Sequence, residues 1–153
     1  MLAILLSVLG LIPFIGCGLG ALGTDPATAS RMLSALIGYA AVTLAFAGGV
    51  HWGFELQSRQ QDRFVERARL GLGVVPPLVG WVALLLPLVV EPWVALLVLI
   101  AAHIGMVLVE QQAARRELLP PHYLLLRWGF TVVAIAMMVT VLTLRLLGQT
   151  IKF

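Results

Sequence analysis

Met32–Leu56 reads MLSALIGYAAVTLAFAGGVHWGFEL and carries no Asp, Glu, Lys or Arg before Glu55. A hydrocarbon core of about 30 Å takes roughly 20 residues at helical rise, so this run is long enough to cross a membrane. Backbone N–H and C=O groups find no water in lipid, which makes such a run a helix and not a strand. Working outward, four more runs meet the same requirement, at about 1–21, 70–90, 93–109 and 125–147. Between the five lie Gly23-Thr24-Asp25-Pro26, the charged stretch Gln57–Arg69, the turn at Glu91-Pro92, and Glu110–Pro121. The expected fold is all-α, a five-helix transmembrane bundle forming a single domain over 1–153. Pro76, Pro77 and Pro87 are expected to kink the third helix by removing backbone donors.

Composition agrees. Of the 153 residues 61% are apolar and 11% charged, against about 25% charged in an average soluble domain. Too little polar surface remains to wrap the chain in water, which excludes a soluble enzyme, a nucleic-acid reader and a disordered tail. The net charge of +3 and pI near 9.8 therefore read as topology signals and not as a nucleic-acid footprint. Arg59, Arg63, Arg67, Arg69, Arg115, Arg116 and Arg127 fall on one side of the five-helix path, and Arg31, Arg145 and Lys152 on the other. The positive-inside rule then places the N-terminus in the cytoplasm and the C-terminus outside. The bilayer expected is the bacterial inner membrane, or the mitochondrial inner membrane in a eukaryote. The first run is read as a span and not as a cleaved signal, because no Lys or Arg precedes it. Cys17 is the lone cysteine, so neither a disulfide framework nor a Cys-based metal site is available.

The second helix is the most informative. Residues four apart share a helical face, and Ala41, Ala45, Gly49 and Gly53 form a row of small side chains expected to pack tightly on a neighbouring helix. A second row, Tyr39, Thr43, Ala47, His51 and Glu55, is largely polar. Ionisable groups inside spans are costly and mark functional sites by default. The four-residue spacing lets Glu55 reach His51 and fix its tautomer, although Glu55 is also near enough to the helix end to reach water. The fourth helix adds His103, with Glu110 seven residues on and on the same face. Helical register puts His51 and His103 at depths differing by only ~4–5 Å, which allows a shared site. Two such histidines can ligate haem iron axially, hold a quinone by hydrogen bonds or relay protons; alternatively each is simply satisfied by a backbone carbonyl. No His-Glu-x-x-His run, nucleophile elbow or phosphate loop is present, so an enzyme is not the preferred reading. Trp93 and Trp128 suit interfacial anchoring, and His122 is read as solvated.

Leu9-Gly10-Leu11-Ile12-Pro13-Phe14, Gly38-Tyr39-Ala40-Ala41-Val42 and Gly48-Gly49-Val50-His51-Trp52-Gly53 resemble the DUF3429 / transmembrane protein 69 family, as do Val74-Val75-Pro76 with Trp81, and Pro121, Tyr123 and Arg127. The resemblance implies a small polytopic membrane protein of uncharacterised activity and supplies no catalytic residues. It does draw Trp52 into the candidate polar site beside His51, Glu55, His103, Glu110 and Tyr39. The functional expectation is an accessory subunit of a larger membrane complex, or a binder of a lipid-soluble cofactor such as quinone or haem. A homo-oligomer is a further possible partner arrangement. The alternative is a small transporter or proton-conducting protein using the same His and Glu residues.

Overall fold

The computed structural model describes residues 2–23, 25–57, 63–116, 119 and 121–150, and the regular structure among them is all helical. In chain order the helices are α1 (Leu2–Leu9), α2 (Ile12–Ala21), α3 (Pro26–Gln57), α4 (Arg63–Leu85), α5 (Pro92–Arg115) and α6 (Pro121–Thr150), with a short 3-10 turn at Leu86–Leu88 after α4. Five of the resulting segments are long and apolar enough to cross a membrane, α1 and α2 counting together as one from Ile4 to Ala21.

Several boundaries differ from the apolar runs, for local reasons. Helices α3, α5 and α6 begin at Pro26, Pro92 and Pro121. Proline suits the first helical position, where its missing N–H is one no helical bond would use. Asp25 precedes Pro26 and caps α3, its carboxylate accepting the Thr28 N–H at 2.9 Å. Hydrogen bonding from the Thr28 side chain first, and from its backbone N–H second, holds the Asp25 carboxyl below its ordinary range. The helices thus outrun the apolar runs at their polar ends, where hydropathy carries no signal. The first run is not one continuous helix: it breaks at Gly10-Leu11 ahead of Pro13. The Tyr39 O–H donates to the Gly10 carbonyl across this break at 2.7 Å, satisfying a backbone group that lipid could not.

Helices α2, α3, α5 and α6 close a ring, each touching the next, and α4 lies outside it against α3 and α5. Phe14, Leu36, Leu44, Leu96, Leu99, Met138 and Val141 fill the ring and are fully buried. Phe14 meets the edges of Tyr39 and Phe130 at ring centroid distances of 5.1 and 5.8 Å. Outward-facing Phe46, Trp81 and Leu125 are largely exposed, as lipid-facing side chains are.

The tightest helix pair, α3 on α4, corrects the expected packing row. Ala41 is buried, and a Cβ on Gly80 of α4 would lie 2.9 Å from the Ala41 carbonyl oxygen. Gly49 and Gly53, however, face open space, and Ala45 is only partly covered. The residue that meets α4 is Gly48, where a Cβ would come within 3.0 Å of the Leu72 carbonyl oxygen and 3.2 Å of that of Gly73. Those two carbonyls have no N–H four residues on, because Pro76 and Pro77 stand there inside α4. The reason for the error is angular. Four residues turn a helix about 40° beyond a full circle, so a four-residue row leaves its partner within three steps. A seven-residue step falls only ~20° short, and Ala41 to Gly48 is such a step, matched by Gly73 to Gly80 on α4.

Candidate functional site

Glu110 on α5 is fully buried and is the hub of a polar cluster. Its Oε1 accepts the Tyr123 O–H at 2.7 Å and the His51 Nε2–H at 3.3 Å, and its Oε2 accepts the Arg127 Nε–H at 2.9 Å. His51 comes from α3, and Tyr123 and Arg127 lie one turn apart at the start of α6, so one carboxylate ties three helices together. His51 is 1% exposed and Arg127 8%. Phe54 packs edge-on between the His51 and Tyr123 rings, at 6.2 and 5.4 Å, and keeps the cluster in an apolar frame. With Glu110 ionised and Arg127 protonated the pair is neutral as a unit, and three charge-assisted bonds offset part of the cost of burying it.

The remaining sequence candidates lie elsewhere. The Glu55 carboxylate is paired with Arg69 of α4 at 3.3 Å, so the expected His51–Glu55 couple gives way to His51–Glu110. Trp52 is 47% exposed and turns its Nε1–H to the Leu70 carbonyl at 3.3 Å, lying against Gly73 outside the cluster. Tyr39 serves the α1–α2 break. His103 is fully buried one level further in; its Nδ1–H donates to the Leu99 carbonyl at 2.9 Å, and its Nε2 faces the Thr43 hydroxyl at 3.4 Å. Thr43 and His51, the α3 partners of the two levels, are eight residues apart, about 12 Å along the axis. The histidines therefore do not meet on one iron, and the axial haem pairing of His51 with His103 does not fit. The side chain of His122 lies outside the described residues.

The polar row on α3 does face the bundle, and the same 40° drift explains how. From Tyr39 to Glu55 the row turns about 160° around α3. It touches each neighbour in sequence: the α1–α2 break through Tyr39, α5 through Thr43 and His51, and α4 through Glu55. Sequence reasoning did not single out Thr131, and it left Tyr123 and Arg127 out of the candidate site, naming them in the family resemblance and Arg127 also as a topology marker. A signal was present, since Tyr123, Arg127 and Thr131 recur every four residues on one face of α6, and Thr131 is 2% exposed. The gap arose because an arginine near a helix end reads alike whether it reaches water or turns inward.

A family model described as "Protein of unknown function (DUF3429)" matches residues 1–143, a range that contains every residue of the cluster. No curated protein and no solved structure matches this chain.

Proposed function

This chain belongs to the DUF3429 family, and we propose that it is an accessory membrane protein that binds a lipid-soluble molecule of the quinone class by hydrogen bonds at the Glu110 cluster. One observation carries the reading: a fully buried carboxylate that gathers a guanidinium, a phenol and an imidazole from two other helices. Apolar residues of similar volume hold helices together as well as a buried ion pair does, or better, so helix adhesion alone does not call for these four groups. Ionisable groups buried within candidate membrane spans mark ligand or proton sites by default. Hydrogen bonding is favoured over bis-histidine iron ligation because His51 and His103 hold separate partners, Glu110 and Thr43, at different levels of the bundle. The partner is the bilayer, with a larger membrane complex as the setting in which an accessory subunit works.

The test is to add a decyl-substituted benzoquinone, or haem, to the purified protein in nanodiscs. The quinone is expected to raise the thermal midpoint, and haem is expected to give no bis-histidine absorption spectrum. A bis-histidine spectrum would overturn the hydrogen-bonding reading. The competing reading, a small proton-conducting protein, draws support from the winding polar row on α3. Absence of a quinone shift, together with proton flux in proteoliposomes that His51→Ala abolishes, would establish it instead.

Orientation is the second part of the proposal. Arg127 is buried against Glu110 and no longer informs on topology, yet six basic residues still stand against three. The N-terminus is placed in the cytoplasm, in a bacterial inner membrane or its mitochondrial counterpart. With Cys17 replaced by Ala, single cysteines at Thr24 and Gln60 and an impermeant thiol reagent on intact bacterial cells check this. Labelling is expected at Thr24 alone. Labelling at Gln60 alone reverses the orientation, and labelling at both undoes the span count.

A further inference from the structure

We infer that Arg127 and Thr131 form the seat for a carbonyl oxygen of an uncharged lipid-soluble molecule. The inference rests on the binding reading of the Glu110 cluster and names the atoms that would meet the ligand. Arg127 spends its Nε–H on Glu110, while its Nη2 is buried without a hydrogen-bond partner. One turn further along the same face of α6 the Thr131 hydroxyl is also buried without a partner. Buried polar atoms are satisfied in the great majority of cases, and a helical threonine has an easy solution in the carbonyl four residues back. Thr140 and Thr143 of the same helix take it, donating to Ala136 and Val139 at 2.8 and 2.6 Å. Thr131 does not, and it is the more deeply buried of the three.

What is left over is donor chemistry. Guanidinium N–H groups only donate, and the hydroxyl adds an O–H, so the occupant must bring lone pairs. Charge then selects among acceptors. The Arg127 charge is already balanced by Glu110 at 2.9 Å, and a carboxylate or phosphate would place a second anion beside Glu110 where the dielectric screens it poorly. A carbonyl oxygen has two lone pairs and no net charge. Register supplies the surroundings. One turn inward by helical register from Glu110 and His51 stand Met106 on α5 and Ala47 on α3, both buried and apolar. A flexible methionine and a small alanine suit a flat ring attached to the carbonyl.

The experiment titrates decyl-benzoquinone and, separately, decanoate into the protein in nanodiscs, reading tryptophan fluorescence and the thermal midpoint. Wild type is expected to bind the quinone more tightly than decanoate. Thr131→Val should weaken quinone binding about tenfold, with a ligand-free midpoint unchanged or raised, since valine removes an unpartnered buried hydroxyl. Thr131→Ser should restore the affinity. Equal quinone affinity in wild type and Thr131→Val would overturn the seat while leaving the cluster as a binding site, and tighter binding of decanoate would overturn the uncharged carbonyl. No quinone binding by wild type would overturn the binding reading itself.

Discussion

Replacing Glu110 with alanine is expected to destabilise the bundle by about 3–5 kcal/mol, the usual consequence of removing one partner from a buried ion pair. The loss is large because three donors are stranded together: the Arg127 guanidinium, the Tyr123 hydroxyl and the His51 N–H. Removing the others should undo much of the damage. A triple variant, Glu110→Leu with Arg127→Met and Tyr123→Phe, leaves few polar groups to desolvate and should regain most of the lost stability, since apolar replacements of buried charge networks are often neutral or better. Unfolding in mixed micelles, followed by circular dichroism, measures both. If Glu110→Ala lost less than about 1 kcal/mol, as an exposed pair does, water would have to reach the cluster. Recovery of stability without recovery of quinone binding in the triple variant would separate the cluster's role in adhesion from its role in binding.

The second large effect is a contrast between neighbours. Gly48→Leu should cost about 1–3 kcal/mol or more by overpacking, because its side chain would drive into the carbonyls of Leu72 and Gly73 and the ring of Pro77, all within 3.2 Å of the first carbon added. Backbone cannot rotate away as a side chain can. Gly49→Leu, one residue on, points into open space and should be neutral or slightly stabilising, since glycine inside a helix is about 0.8–1.0 kcal/mol worse than alanine. Thermal midpoints of the two variants, measured side by side, decide the matter; equal midpoints would place Gly48 on a lipid face.

The candidate spans were legible from sequence because length and hydropathy alone define them, and the described residues hold five, close to where the apolar runs lie. Which face of a span meets protein was only half legible. The polar row of α3 could be found since every polar member of it needs a partner, and with three neighbouring elements around α3 a drifting row still meets one at each level. The small-residue row carried no such demand. Ala45, Gly49 and Gly53 pack as readily on lipid as on a helix, so nothing in their chemistry tied them to α4. The partner of His51 was misassigned for another reason. Glu55 is near in sequence, but its carboxylate pairs with Arg69 of α4, and pairings between helices depend on rotations about the axes that no spacing encodes.

Glu110 and Arg127 occupy successive helices joined by a short connection, and this bears on how the chain enters a bilayer during synthesis. An Arg, Lys or Asp at the centre of a lone span raises the free energy of insertion by about 2.5–3.5 kcal/mol, less toward an end. Delivered singly, α5 would bring one unmatched carboxylate into lipid and α6 one unmatched guanidinium. Delivered as an antiparallel hairpin they bring a neutral pair at 2.9 Å, with the Tyr123 O–H already bonded to the same carboxylate. The last two spans are therefore best inserted together. The hairpin then offers the earlier helices a finished acceptor, and His51 is the residue on α3 that docks to it.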